Sequence, residues 1–323
     1  MPDSRPTFSI VAPVYNEEAT LPEFYRRTTA VAGGLDGTFE LILIDDGSAD
    51  RSLAVAKDIA ARDQRVKVIG FSRNFGHQIA ITAGIDYAEG EAVIIIDSDL
   101  QDPPEVIPDL VAAWRNGFDI VYATRSERRG ETWFKLATAR LFYWLINRVT
   151  SLRIPSDTGD FRLLDRRVVL ALRQAREQHR FMRGLAVWVG FRQIGVKYVR
   201  HERFAGATKY PLRRMLRLST DAITSFSYVP LQLATTLGFW VSGVALVAIP
   251  VVAVLRLRGN NFFGGQATTL ISVLFLGGVQ LIFLGVIGEY LGRIYDEVKR
   301  RPLYIVGEIV GELPDQKALG FRD

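Results

Sequence analysis

Between residues 8 and 123 the chain alternates short, almost wholly apolar runs with longer stretches whose apolar positions recur every three or four residues. The runs at 8–14, 39–44, 66–71, 92–96 and 119–123 predict strands, and the stretches 17–32, 50–62, 77–88 and 104–116 between them predict helices. Ser48 or Asp50 is a suitable cap for the second helix. Strands that are apolar on both faces belong to a sheet with helices on both sides, so an α/β domain with a mainly parallel sheet is expected. Such sheets bind ligands beyond the carboxyl ends of their strands. Polar residues at those ends are therefore the first candidates for chemistry.

The pattern changes near the C-terminus. Residues 231–255 and 267–288 contain no charged side chain, and each run exceeds the ~20 residues a helix needs to cross a bilayer. Both are expected to span a membrane, with Pro250 accommodated as a kink. Lys197, Arg200, Arg203, Lys209, Arg213, Arg214 and Arg217 precede the first run, and Arg293, Lys299, Arg300 and Arg301 follow the second. The loop between the runs holds only Arg256 and Arg258, so both ends of this hairpin are expected on the cytoplasmic side of the inner or plasma membrane. Residues 211–228 mix Arg213, Arg214 and Arg217 with apolar side chains and read as an interfacial helix on the anionic leaflet, or as a solvated connector. The expected division is a cytoplasmic catalytic domain over 1–210, the interfacial helix over 211–228, the hairpin over 229–292 and a cytoplasmic tail over 293–323, to which no function is assigned.

Composition narrows the chemistry. With 323 residues, 48% of them hydrophobic, the chain can bury a core without cross-links. The absence of cysteine excludes disulfides, thiolate catalysis and cysteine-bound zinc, and fits a reducing compartment. Forty Lys and Arg against 35 Asp and Glu is too small an excess for a dedicated nucleic-acid binder. No apolar signal core precedes the first strand, which is consistent with a domain that stays in the cytoplasm.

The ends of the first two strands bring Pro13, Tyr15, Asn16 and Glu17, then Asp45, Asp46, Gly47 and Ser48. Carboxylates beside a small flexible turn suit a nucleobase edge and ribose hydroxyls, although the same residues also serve as turn and cap chemistry. The fourth strand runs into Asp97-Ser98-Asp99-Leu100-Gln101-Asp102-Pro103-Pro104. Two carboxylates one residue apart, with Gln101 as a further oxygen ligand, form the kind of negative, oxygen-rich site that a hard divalent cation relieves, Mg²⁺ or Mn²⁺.

The ordered motifs Val14-Tyr15-Asn16-Glu17-Glu18, Asp45-Asp46-Gly47-Ser48, Ser72-Arg73-Asn74-Phe75-Gly76-His77, Asp97 to Pro103 and Asp157-Thr158-Gly159-Asp160-Phe161-Arg162 resemble family 2 glycosyltransferases with the GT-A fold. With the C-terminal hairpin, the resemblance extends to the branch that makes polyprenyl-phosphate sugars, relatives of dolichyl-phosphate mannose synthase and bactoprenol glucosyltransferase. It implies a nucleotide-sugar site drawn from Pro13, Tyr15, Asn16, Glu17, Asp46, Ser48, Arg73, Asp97 and Ser98, with Asp46 at the base. Asp97, Asp99 and Gln101 would hold the metal, and Asp160, Asp157 and Asp99 would stand at the reacting atoms. A Gln-x-x-Arg-Trp motif of chain-polymerising relatives is absent at Gln178-His179-Arg180-Phe181, which implies one transfer per acceptor.

An acceptor phosphate needs cations. Arg125 follows the fifth strand, which should end at the same face, and is suited to bidentate contact. Lys135, Arg203, Lys209 and Tyr210 are further candidates by the resemblance, and the basic ones also serve general attraction to the bilayer. The expected reaction is transfer of one sugar, glucose from UDP-glucose by the resemblance of the 72–77 stretch, to a polyprenyl phosphate such as undecaprenyl phosphate, with inversion. Other donors such as GDP-mannose, UDP-N-acetylglucosamine or an aminoarabinose nucleotide stay open, as does a nonenzymatic membrane subunit that binds nucleotides. The resemblance also points to a homo-oligomer, and Gly238, Ser242, Gly277 and Gly278 are small enough for close helix approach.

Overall fold

The computed structural model describes residues 5–125, 158–199, 227–258 and 266–313. Asp157, Lys135, Arg203, Lys209, Tyr210 and nearly all of the expected interfacial helix lie outside them.

Strands β1 (Phe8–Val14), β2 (Phe39–Asp45), β3 (Val66–Phe71) and β4 (Ala92–Ile95) form the parallel centre of an eight-stranded sheet. β5 (Ile120–Arg125), β6 (Thr158–Asp165), β7 (Gln193–Tyr198) and β8 (Val306–Val310) complete it, in the order β7-β5-β6-β4-β1-β2-β3-β8. Only β6 and β8 run against the rest. The continuous apolar runs are explained by burial on both faces. Phe8, Ile10, Ala12, Leu41, Leu43 and Ile94 point to the layer holding α1 (Leu21–Gly33), α2 (Ser52–Arg62) and α4 (Ile107–Arg115). Val11, Ile42, Ile44, Ile69, Val93 and Ile95 point to the layer of α3 (His77–Tyr87), α5 (Arg166–Gln174) and α6 (Met182–Trp188).

Helix α3 is the most deeply set, buried from Ala80 to Tyr87. Gly84 is what permits this: a Cβ there would lie 2.1 Å from Val11 Cγ1 and 2.9 Å from Ile44 Cδ1. The helix runs under β1 and β2, so its first residue, His77, emerges at the carboxyl end of the sheet.

The starts of α1 and α4 differ most from those expected. Helix α1 starts at Leu21 rather than at residue 17, because Asn16 adopts φ 56° and a turn closes from Glu17 O to Thr20 N and Leu21 N. Residues 104–106 form a 3₁₀ turn before α4. Neither residue expected to cap α2 holds the cap position, which is Arg51 without a side-chain cap bond; Asp50, one residue earlier, accepts from Ser52 N at 2.9 Å, and Ser48 binds Asn16.

Two long helices follow, α7 (Val229–Leu257) and α8 (Gln266–Lys299). Val229–Ala248 and Ile271–Lys299 are long and apolar enough to cross a membrane, and neither is buried against the rest of the chain. They are therefore not core helices. A Cβ at Gly238, Gly277 or Gly278 would meet nothing within 4 Å, so these glycines do not bring α7 and α8 together within one chain.

The segment after α8, which carried no sequence signal, returns to the α/β sheet. β8 pairs antiparallel with β3, Leu303 and Tyr304 are buried among α3 and its neighbours, and Tyr304 stacks on Phe71 with centroids 5.2 Å apart. The end of α8 is also held: Glu297 Oε1 accepts from Gln178 N at 2.7 Å, and His179 Nε2 lies 3.2 Å from Asp296 Oδ2.

Candidate active site

Five strand ends converge at one side of the sheet. β6 runs against β4, with Ile95 facing Arg162. Continued by two residues, that register sets Asp97 across from Asp160. Two carboxylates facing each other repel, and cations between and beside them resolve the conflict. His77 Nε2 lies 3.4 Å from Asp97 Oδ1 and 3.4 Å from Asp160 Oδ2. Arg183, from the first turn of α6, donates Nε to Asp160 Oδ1 at 3.0 Å and Nη2 to Oδ2 at 3.3 Å. Gln78 Nε2 adds a third donor, 3.1 Å from Oδ2.

The electrostatics follow from this geometry. Asp160 is buried, which alone would raise its pKa, but Arg183 and His77 outweigh burial and hold the carboxyl well below the usual range. His77 is disfavoured as a cation by its crowded position, yet Asp97 and Asp160 raise it to about 9. Asp97 moves the other way: burial, together with Asp160, Asp102 and Asp99, raises it to about 6 against the pull of His77. Arg162 is buried beneath the pair and lowered to about 10 by that burial, with Asp160 opposing. Its guanidinium donates to Gly159 O at 2.9 Å and to Asp160 O at 3.3 Å, which fixes the start of β6.

The loop after β4 is sharply bent. Leu100 adopts φ 60°, Gln101 N donates to Asp99 Oδ1 at 3.1 Å, and Ser98 Oγ donates to Pro13 O at 2.8 Å. Asp102 accepts from the Tyr198 hydroxyl, tying this loop to β7. Among the described residues, no group of three or more His, Asp or Glu side chains is arranged to hold a metal. The Asp97–Asp99–Gln101 set nevertheless fits a hard cation in one respect. Asp97 Oδ1 is buried and accepts no hydrogen bond, beyond the 3.4 Å charge contact of His77 Nε2, which leaves it open to an added ligand.

The nucleotide-side residues are found partly at structural work. Asp46 Oδ1 accepts from Phe75 N at 2.7 Å, and its carboxylate accepts from Gly76 N at 3.0 and 3.1 Å, so it stitches the β2 loop to the 72–77 stretch. Burial raises its pKa, and these amides oppose the rise. Gly47, at φ 66°, lies so close to that stretch that a Cβ would sit 2.5 Å from the Arg73 carbonyl carbon. Asn16 N donates to Ser48 Oγ at 3.0 Å, Asn16 Oδ1 accepts from Ala49 N at 2.8 Å, and Glu17 N donates to Ser52 Oγ at 2.7 Å. Tyr15 is half exposed and Arg73 lies over the Phe75 ring at 3.9 Å, both at the same end of the sheet. Asp45, offered with Asp46 for the base and ribose, accepts from Ser48 N at 3.1 Å through Oδ2, and its buried Oδ1 lacks a hydrogen-bond partner. Arg125 closes β5 at this end as well.

His77 and Arg162 lie inside sequence motifs that give them no role by themselves, and Gln78 and Arg183 lie in none. Arg183 sits five residues beyond Gln178, in the stretch where a polymerising motif was sought, and its pairing with Asp160 needs the fold to be seen. Gln178, His179 and Arg180 hold the tail and the α5 end rather than facing Asp160.

The chain has relatives among known proteins. Residues 9–172 match the model of Glycosyl transferase family 2. The glycosyltransferase YkcC of Bacillus subtilis is 50% identical over 94% of this chain and 94% of its own length. The SfII prophage-derived bactoprenol glucosyl transferase of Shigella flexneri is 42% identical over 92% of this chain and 96% of its own. Among solved structures, glucosyl-3-phosphoglycerate synthase from Mycobacterium tuberculosis, crystallised with Mn²⁺, UDP-glucose and phosphoglyceric acid, superimposes with a TM-score of 0.45 at 24% identity, covering 68% of this chain and 78% of that one. The motifs at the strand ends, the mainly parallel α/β sheet of GT-A type and full-length relatives at up to half identity agree that the chain belongs to glycosyl transferase family 2.

Proposed function

We propose that the protein transfers one glucose from UDP-glucose to the phosphate of a polyprenyl phosphate such as undecaprenyl phosphate, at the cytoplasmic face of the membrane. The observation that carries this reading is Asp160, ionised and immobilised opposite Asp97 at the carboxyl end of the sheet, in a chain that also bears a hairpin long and apolar enough to span a bilayer. The bactoprenol glucosyl transferases among its relatives support the choice of sugar and acceptor.

A polyprenyl phosphate is already an anion near neutral pH, its second pKa being about 6. One of its oxygens attacks the anomeric carbon, the bond from that carbon to the diphosphate oxygen breaks on the opposite side, and UDP leaves with the electron pair. No strong base is needed. Asp160, held ionised by Arg183 and His77, is poorly suited to accept a proton and well suited to stabilise positive charge developing on the sugar. Asp97, Asp99 and Gln101 would hold Mg²⁺ or Mn²⁺, which when bound neutralises charge on the departing diphosphate. His77 and Arg183 keep the two carboxylates apart in charge and fixed in place, and Arg125, at the end of β5, would serve the acceptor phosphate. The hairpin keeps the cleft at headgroup depth and raises the effective concentration of the acceptor.

The test incubates purified protein in detergent with undecaprenyl phosphate and a panel of labelled UDP- and GDP-sugars, with and without EDTA, and counts label in the lipid extract. Transfer from UDP-glucose that EDTA abolishes is the expected result. Transfer from another donor would replace the sugar, and nucleotide binding without any transfer would overturn the enzymatic reading.

A further inference from the structure

We propose that Arg183 and Gln78 are positioning residues for Asp160, and that α6 is placed on the sheet to bring Arg183 to that carboxylate. The inference rests on the reading of Asp160 given above and adds the residues through which it acts.

Four observations converge on it. Asp160 is only 6% exposed, and a buried carboxylate is tolerated only when its oxygens are fully supplied with donors. Arg183 supplies two of them in the planar geometry that fixes the carboxylate's orientation as well as its position, at 3.0 and 3.3 Å. Gln78 supplies the third, and Gln78 is itself locked: its Oε1 accepts from Met182 N at 2.9 Å, at the start of the helix that carries Arg183. The two donors therefore belong to one closed unit. It runs from α3 through the Gln78 amide to the first turn of α6, and from Arg183 back to Asp160. The α6 side of this unit is anchored independently, because Met182, Leu185 and Ala186 are buried in the layer beneath the sheet.

Geometry separates Arg183 from a general structural cation. Arg162 holds the backbone of the same strand through Gly159 O and Asp160 O, and the sheet register does the rest. Arg183 touches the Asp160 side chain, so its removal is expected to free the carboxylate while β6 stays paired. A misplacement on the order of 1 Å at a reacting centre costs about 100-fold in rate.

The experiment compares wild type, Arg183→Ala, Arg183→Lys, Gln78→Ala and Asp160→Asn, using the donor that wild type accepts in the panel above and undecaprenyl phosphate. The readouts are kcat, KM for the donor, UDP binding, thermal unfolding, and the effect of added guanidinium at tens of millimolar. For Arg183→Ala the expected result is a kcat about 100-fold lower and a lowered unfolding temperature, because the buried carboxylate loses two donors, with donor KM and UDP affinity close to wild type and partial rescue of both turnover and stability by guanidinium. Arg183→Lys is expected to retain more activity than Arg183→Ala, and Gln78→Ala to lose about tenfold. Guanidinium is expected to give no rescue when Asp160→Asn is added to Arg183→Ala.

Wild-type kcat in Arg183→Ala overturns the inference. Loss of UDP binding, or rescue that persists without the Asp160 carboxylate, overturns it too, since Arg183 would then act on the donor. If Arg183→Ala does not fold, Gln78→Ala decides by the same kcat-against-KM criterion. Full turnover in Asp160→Asn instead defeats the reading of Asp160 itself, and this inference falls with it.

Discussion

The hydroxyl of Tyr304 donates to Asp86 Oδ2 at 2.9 Å, joining the segment that follows the second long helix to the far end of the helix that begins with His77. Arg176, just past the end of α5, closes the same carboxylate, with Nη1 at 2.9 Å from Oδ1 and 2.8 Å from Oδ2. Burial and the adjacent Asp86 charge push the Tyr304 pKa upward, so the hydroxyl remains a donor throughout the neutral range. Helix α3 thus has one end in the active site and the other in a clamp built partly from the tail.

Tyr304→Phe keeps the stack on Phe71 and removes only the hydrogen bond. Because the acceptor is a buried carboxylate, stability is expected to fall by about 2 kcal/mol. Tyr304→Ala also leaves a cavity and is expected to cost about 4 kcal/mol. Thermal unfolding in detergent checks both. Equal stability of Tyr304→Phe and wild type would show that Arg176 alone satisfies Asp86.

Gly84→Ala tests the close seat of α3. The nearest obstacle to the new methyl, Val11 Cγ1, belongs to a short, stiff side chain in the central strand, so the helix or the strand must move. An overpacking cost of about 1–3 kcal/mol is expected. A shift of α3 also carries His77 and Gln78 away from Asp160, so turnover is expected to fall more than stability explains. Unchanged kcat in the folded variant would show that the helix rotates without moving its first turn.

The central strands were legible in the sequence because burial on both faces makes them continuous apolar runs, as in 8–14 and 39–44. The hairpin was legible from length and the absence of charge. β8 was not, because Val306, Gly307, Glu308, Ile309 and Val310 form an edge strand with mixed polarity whose pairing depends on a partner more than 200 residues earlier in the chain. In the site, Asp97 and Asp160 were visible through their motifs, since each follows or begins an apolar strand. Arg183 and Gln78 were hidden because a helix residue and a strand residue 23 positions apart meet only through tertiary packing. Asp46 shows the converse: its motif was readable, but the amides of Phe75 and Gly76 that occupy it were not.

The Tyr25–Asp63–Arg65 group gives a pH test away from the active site. Asp63 binds Arg65 through both oxygens, at 2.9 and 2.8 Å, and accepts from the Tyr25 hydroxyl at 2.9 Å. The bond from Arg65 is the main cause that lowers its pKa from 3.8 to about 2. A depressed carboxyl contributes stability above its unfolded pKa and loses it as pH falls through the folded one. With solvent screening the contribution is about 1 kcal/mol. Asp63→Asn is therefore expected to lower the unfolding temperature at pH 6 and to match wild type as pH falls from about 4 towards 2. A constant difference across that range would mean that the amide disrupts the α2 end rather than the ion pair.

Asp97→Asn is expected to have effects of opposite sign on stability and on metal binding. In wild type, the part-buried Asp97 faces Asp160 and lies near Asp99 and Asp102, its buried Oδ1 lacks a hydrogen-bond partner, and His77 offsets the repulsion. Without a cation this charge destabilises the fold, so in EDTA the variant is expected to be more stable by about 1 kcal/mol. With Mn²⁺ and UDP the order reverses, because binding stabilises the native state in proportion to affinity and the variant lacks an oxygen of the site. Unfolding scans of both proteins in EDTA and in Mn²⁺ with UDP, together with calorimetric titration of Mn²⁺, measure the two effects. A variant that is less stable in EDTA would mean that the contact of Asp97 with His77 outweighs its repulsion by the neighbouring carboxylates. A variant that still binds Mn²⁺ as wild type does would remove Asp97 from the metal site.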